Sequence, residues 1–329
     1  MKQNQLLAFL RRRWWLVLIV LVLGLAASLF IPWNVGGLAS HSNPVQDYAE
    51  SAQRIEALQA NKASEMNPDC IAKFMTHGQR VQKAIVMVHG YTNCPKQFET
   101  LGQRFYDLGY NVLIAPMPHH GLADRMTDEP SQLKGEELAA YADEMVDIAH
   151  GLGEQVAMLG ISAGGVVTAW AAQNRSDLDL AVILSPAFGF KQIPTPLTAP
   201  VMNVFSILPE AYEWWEPILK AEAGPLHAYP RYSKHGLTQT LRLGFSVQAS
   251  AQHTSPVAGK ILVITNANDQ SVNNVITYDV TENWQQHGAN LGTYEFPVDL
   301  KLGHDLIDPA QPDQQIELVY PQIISLITQ

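Results

Sequence analysis

The chain has 329 residues, 47% of them hydrophobic, which suits one large domain with a substantial core and a small appendage rather than two full domains. A formal net charge of -10 at pH 7 and a pI near 5.5 disfavour phosphate backbones and anionic lipid as partners held by charge, so nucleic acid is not an expected partner. Beyond the N-terminus there is no internal repeat, low-complexity block or run of like charge.

Lys2 and Arg11-Arg12-Arg13 precede an uncharged apolar stretch from Trp14 to Ile31, closed by Pro32 and Trp33, and no Lys or Arg follows until Arg54. That length suits one bilayer crossing, and tryptophans at both ends fit interfacial anchors. The expectation is a cytoplasmic segment 1–13, a transmembrane anchor over 14–33, and the rest of the chain outside the cytoplasm. The alternative is a cleaved signal peptide, for which Ala26-Ala27-Ser28 and Gly37-Leu38-Ala39 offer small residues to a peptidase. Both readings export the remainder. Export permits a disulfide between Cys70 and Cys94, which would contribute about 3.5 kcal/mol in the chain-entropy treatment. Two thiols that never meet are the alternative.

Residues 34–70 read as a linker, Gly36 to Ser42, and an amphipathic helix. Asn43 and Pro44 stand at the expected helix start, and Val45, Tyr48, Ala49, Ala52, Ile55 and Leu58 recur at helical spacing. The main domain is expected over 71–329. A possible hairpin from Ile71 turns at Gly78, and strands follow at 84–88, 111–115, 156–159 and 181–184, with helical patterns between them. Short, continuously apolar strands alternating with helices predict a mostly parallel sheet covered on both faces. The alternation stops after Ser185. Residues 186–256, rich in Pro and aromatics and including Trp214-Trp215, predict a cap inserted over the strand ends. Alternation resumes with a strand at 260–265, a helix at about 273–286, a strand at 292–296, and closing helices broken at Pro321.

The chemistry centres on Gly160-Ile161-Ser162-Ala163-Gly164, where a strand feeds a helix through Ser162. A hydroxyl projecting from so sharp a bend needs flanks without side chains, and the N-H of Ala163 at the new helix start can face an oxyanion. Such a serine needs a base, and the base a carboxylate, from loops at strand carboxyl ends in the order serine, acid, histidine. Asp269, after the 260–265 strand, is the expected acid, with Asp299 as substitute. Asp305 is a poor choice, because a residue beside the histidine rarely folds back onto its ring. His304, in a loop beside Gly303, is the expected base. Tyr91, in His89-Gly90-Tyr91, should give the second oxyanion N-H. His89 reads as structural, and His119-His120 as a packed loop without metal, since no further ligand lies at metal spacing. Trp214 and Trp215 either line a substrate pocket or hold the cap's own core.

These motifs resemble the α/β-hydrolases, in particular the bacterial carboxylesterase and monoacylglycerol lipase group, which also contains serine-aminopeptidase-like members. The resemblance rests on His89-Gly90-Tyr91-Thr92, Pro118-His119-His120-Gly121, Gly160-Ile161-Ser162-Ala163-Gly164, Asp269 and His304, and covers roughly residues 80–328. It implies cleavage of a small or lipid-like carboxylic ester through an acyl-enzyme, without a cofactor, under a cap that shapes substrate choice. The departures are the N-terminal apolar segment, Cys94 inside the oxyanion loop, and the Trp-rich cap. Three other uses of the fold stand beside it. One is an acyltransferase. Another is an aminopeptidase that would need cap carboxylates such as Glu210, Glu213, Glu216 or Glu222 to hold an amine. The last is a non-catalytic, membrane-tethered binding protein.

Overall fold

The structure, a computed structural model, describes residues 14–61 and 63–329; the expected cytoplasmic segment 1–13 lies outside them. A seven-stranded sheet runs in the order β1-β3-β2-β4-β5-β8-β9. Its strands are β1 (Lys73–Met75), β2 (Val81–Val88), β3 (Asn111–Ile114), β4 (Gly153–Ile161), β5 (Leu180–Leu184), β8 (Lys260–Asn266) and β9 (Leu291–Phe296). All neighbours pair in parallel except β1, which lies antiparallel to β3. Gly78 does turn the chain, at φ +76°. The strands on either side of it are not partners, however, because β3 lies between them, so the expected hairpin is not formed.

Alternation along β2 divides the core. Ile85 and Met87 point to one face, where α3 (Lys96–Asp107) contributes Phe98, Leu101 and Phe105 and α9 (Ile316–Thr328) contributes Val319, Ile323 and Ile327. Ala84, Val86 and Val88 point to the other, covered by α4 (Gly135–Leu152), α5 (Ala163–Asn174), α7 (Lys234–Ala251) and α8 (Asn274–Gln286). The α9 helix continues through Pro321 instead of breaking there. Buried Val319, Tyr320 and Ile323 hold it on both sides of the proline, and the Tyr320 hydroxyl donates to Ile307 O at 2.6 Å.

The segment covering the site is built from α6 (Thr198–Ile207) and a two-stranded antiparallel sheet of β6 (Tyr212–Trp214) and β7 (Arg231–Ser233). The last part of the expected cap belongs elsewhere. Leu243, Val247 and Ala251 of α7 are buried in the main core, so 234–251 is a body helix leading back to β8.

The N-terminal region departs most from expectation. Helix α1 (Trp14–Ser28) has 15 residues, about 22 Å at 1.5 Å per residue, against roughly 30 Å of bilayer hydrocarbon. Among the described residues no helix is long and apolar enough to cross a membrane. The expected span over 14–33 is cut short because Leu29 to Ile31 leave the helix as a turn whose carbonyls are taken by a cap side chain, Asn203. Nor are residues 36–42 a free linker. Leu38 is buried, and its carbonyl accepts from Trp170 Nε1 at 3.0 Å. Ser40 Oγ and the His41 N-H donate to the Asp143 carboxylate, and the Asn43 N-H to Asp147. Buried Arg175 bonds both of these carboxylates and Asp177. Asn43 therefore does not cap a helix. Asp47 does, accepting from the Glu50 N-H at 2.9 Å, and α2 (Tyr48–Ala60) packs on α4 through buried Ser51 and Ile55.

Candidate active site

Ser162 stands between β4 and α5 with φ 58° and ψ -116°, a conformation rarely adopted by a side-chain-bearing residue. The bend is over-determined. Ser162 N donates to Leu184 O at 3.0 Å, and Ser162 O accepts from the N-H groups of Val166 and Ala187. A Cβ on Gly160 would lie 2.0 Å from Gly164 O, and one on Gly164 2.1 Å from Val88 O, so only glycine fits either position. Gly90, in the loop after β2, is close enough that its Cβ would touch Ser162 Cβ at 3.6 Å.

The carboxyl ends of β8 and β9 supply the rest. Asp269 is buried; its Oδ1 accepts from the N-H groups of Ser271 and Val272, and its Oδ2 from His304 Nδ1 at 2.7 Å. An ionised acceptor on Nδ1 places that ring's proton there and leaves Nε2 free to accept. Burial alone would raise the Asp269 carboxyl, but His304 and the two backbone donors outweigh it and hold it below its ordinary value. For His304 burial works against the charged ring, yet the charge and hydrogen bond of Asp269, with the charge of Asp305, raise it above 6.5. Asp299 is exposed in the turn after β9 and is not bonded to His304.

Asp305 turns away from the neighbouring ring. Its carboxylate accepts from Gln97 Nε2 at 2.8 Å and Gln311 Nε2 at 3.0 Å, and from the N-H groups of Ile307 and Asp308. Burial and the nearby Asp308 charge raise its pKa. Gln97 spends its carbonyl on the Gly90 N-H at 2.8 Å, so one amide ties the loop carrying Tyr91 to the loop carrying His304. Sequence reasoning did not find Gln97, Asp305 and Asp308 as a group, because a helical Gln and two loop Asp residues carry no spacing signal. His227, bonded to Asp308 Oδ2 at 2.8 Å, completes that buried cluster.

The N-H groups of Tyr91 and Ala163 have no protein acceptor among the described residues. Cys70 and Cys94 are joined as a disulfide with Cα atoms 5.3 Å apart, linking the segment before β1 to the loop after β2. His89 is fully buried and braces two loops. Its Nε2 accepts from the Met117 N-H at 2.9 Å, so its Nδ1 donates to Gly90 O at 2.8 Å. Burial and the neighbouring His120 lower it to about 3, so the brace is neutral. His119 lies between Glu129 and Glu137, while buried His120, lowered to about 4 mainly by burial, bonds Pro118 O.

Ser162, His304, Tyr91 and Ala163 open into one cavity of about 790 Å³. Trp214 and Trp215 both line it, with Val201 and Phe205 from α6. Trp215 Nε1 donates to Thr92 Oγ1 at 2.8 Å, and its ring packs on Tyr232 at 4.3 Å, so the cap is bonded to the Tyr91 loop.

A serine on a strand–turn–helix bend, at the carboxyl edge of a mostly parallel sheet and sharing a pocket with a histidine–carboxylate pair from two later strand ends, defines the α/β-hydrolase class. The model of the family described as serine aminopeptidase, S33, matches residues 79–295, and the chain belongs to that family. Its fold is similar to that of a metagenome-derived lipolytic enzyme described with LipS and LipT (TM-score 0.57, 16% identity, 80% of this chain and 99% of that one). It is similar also to the monoacylglycerol lipase of Paleococcus ferrophilus (0.58, 16%, 78% and 97%) and to a soluble variant of the monoglyceride lipase of Saccharomyces cerevisiae (0.54, 13%, 78% and 89%). At these identities the likeness is one of fold. No curated protein matches the sequence.

Proposed function

We propose that the protein hydrolyses carboxylic esters through an acyl-enzyme, with Ser162 as nucleophile, His304 as base and Asp269 as the carboxylate that orients it. Ser162 Oγ attacks the ester carbonyl as His304 Nε2 takes its proton, and the imidazolium returns that proton to the departing alcohol. The N-H groups of Tyr91 and Ala163 receive the oxyanion. Losing such a donor costs on the order of 3 kcal/mol of transition-state binding. Water, deprotonated by the same imidazole, then releases the acid and restores Ser162. The observation that carries this reading is the 2.7 Å bond from His304 Nδ1 to buried Asp269, in a pocket that also holds the strained Ser162. The apolar wall of Val201, Phe205, Leu237 and Leu241 favours an acyl chain or a lipid-like alcohol, and the Cys70–Cys94 bond favours an oxidising compartment outside the cytoplasm.

The family's aminopeptidase description motivates one rival, in which a cap carboxylate holds the substrate amine. Against it, two of the cap carboxylates, Glu210 and Glu213, are already engaged. Glu213 pairs with Lys234 at 2.6 Å and accepts from the Tyr232 hydroxyl, and Glu210 accepts from Ser233 Oγ and the N-H of Lys234. The deciding experiment combines fluorophosphonate labelling with parallel assays on acyl esters graded by length and on aminoacyl amides. Ester turnover and labelling, both lost in Ser162→Ala, are expected. Cleavage of the amides alone would reject the esterase, and labelling unchanged by Ser162→Ala would reject the nucleophile.

A further inference from the structure

Helix α1 buries none of its side chains, and residues 14–32 contain no charge. An ordinary surface helix is apolar along one stripe; this one is apolar all round. A protein groove would cover only one side of it, whereas lipid surrounds a helix on every side. The flanking charge agrees. Although the whole chain carries -10, the only charged residues before Asp47, His41 aside, are Lys2 and Arg11 to Arg13, directly preceding Trp14. Cations beside an apolar helix with tryptophans at its end match the phosphate layer of a lipid surface.

The helix is also fastened to the wall of the pocket. Asn203, fully buried in α6, donates through Nδ2 to Leu29 O and Ile31 O, both at 2.8 Å, and accepts the Trp33 N-H at 3.1 Å. One amide thus spends both donors and its oxygen on the chain leaving α1. Trp33 Nε1 closes back on Ser28 O at 3.0 Å. Arg242, paired with Glu136, contacts the Asn34 carbonyl, and the strap from Leu38 to Asn43 is bonded to α4 and α5 of the body. Val201 and Phe205, four residues apart on α6, line the ester cavity, while Asn203 between them holds the N-terminal segment. From the end of α6 onward the cap exposes Ile207, Leu208, Ile218 and Leu226, the last two at 87% and 80%.

We propose that α1 embeds in a lipid leaflet with this apolar cap edge docked on its surface, and that the Asn203 clamp holds the ester pocket there so that substrate enters from lipid. The occupant is a phospholipid leaflet with neutral or zwitterionic headgroups, because the acidic body disfavours a strongly anionic one. The docking itself is independent of the proposed chemistry; the delivery of substrate rests on the ester-hydrolase reading.

The test uses the full chain with phosphatidylcholine vesicles, scored by flotation and by hydrolysis of one long-chain ester dissolved in the vesicles and one short ester in solution. The wild-type chain should float. Leu21→Glu with Leu25→Glu, both exposed positions, should cut flotation by about ten-fold or more and leave short-ester kcat/KM within about two-fold. Asn203→Ala should still float yet lose about ten-fold on the vesicle-borne ester only. Ile207→Glu with Leu226→Glu asks the same question of the cap edge without touching a buried group, and should give the same split. A wild-type chain that stays with the aqueous phase, or a Leu21/Leu25 variant that floats unchanged, overturns the docking. So does conversion of a dimer to a monomer by that variant without any vesicle binding, which would make a second copy the occupant. Equal losses on both esters in both the Asn203 and cap-edge variants overturn the clamp. Flotation without turnover of either ester would refute the esterase and leave the docking standing.

Discussion

Around Ser162 the chain is held by contact between backbones. Glycine is the only residue that fits at 160 or 164, and the runs Ala84 to Val88 of β2, Val156 to Ile161 of β4 and Ala181 to Leu184 of β5 are buried throughout. The cap above it is held by isolated polar side chains. Asn203 takes the N-terminal turn, Glu210 the start of α7, Arg125 the carbonyls of Ala223, Pro225 and Ala228, and Trp215 the Thr92 hydroxyl. The body therefore fails by collision and the cap by loss of a bond. The first kind of change should abolish the site, the second should retune it.

The sharpest way to break the contrast is Ser162→Ala. Ester turnover is expected to fall by about 10⁵-fold or more with the melting temperature unchanged, measured by kcat on a chromogenic short ester. Retained turnover would remove the serine from the mechanism. Asp269→Asn should cost about 10³- to 10⁴-fold, because the amide no longer fixes the Nδ1–H tautomer of His304. The disulfide comes next. Replacing Cys70 and Cys94 by Ala should lower unfolding stability by about 3.5 kcal/mol in denaturant titrations. Trp215→Ala, a cap change, should raise KM for long acyl esters by about ten-fold with little change in kcat, since it removes a wall and not a reacting group.

The pH dependence is the smallest effect and separates the two partners of one bond. His304 must be neutral to accept a proton, and its pKa is raised above 6.5, so kcat/KM should fall about ten-fold per pH unit below that raised value. The contribution to stability has the opposite sense. A raised histidine pKa stabilises the fold fully below 6.5 and loses that contribution as pH climbs through the folded value, whereas the depressed Asp269 contributes above its unfolded pKa and is lost on acidification. In Asp269→Asn the activity limb should move to lower pH.

Legibility in the sequence divides along the same line. Continuous apolar runs such as Ala84 to Val88 announce buried parallel strands, and a Gly-x-Ser-x-Gly between strand and helix locates the bend, because both are local consequences of backbone packing. Strand order puts Asp269 and His304 forward as an expected pair, and the structure brings the two side chains within 2.7 Å. What is not legible depends on distant partners. Asn203 is one polar residue in an apolar helix until the carbonyls of Leu29 and Ile31 arrive from 174 and 172 residues away. Helix α7 reads as cap because its core contacts, with α5 and Phe188, lie outside its own pattern. Residues 36–42 read as linker because small polar residues conceal a strap whose acceptors, Asp143 and Asp147, sit on α4.

That strap decides where the polypeptide can be shortened. Starting a trimmed version at residue 71, where the first strand approaches, would strip away Leu38, Val45 and Ile55, all buried in the intact fold, at a cost of roughly 1.5 to 3 kcal/mol for each large aliphatic side chain. Among the described residues it would also leave the α4 carboxylates bridged by Arg175 alone. The smallest self-sufficient version of this enzyme therefore begins ahead of Leu38.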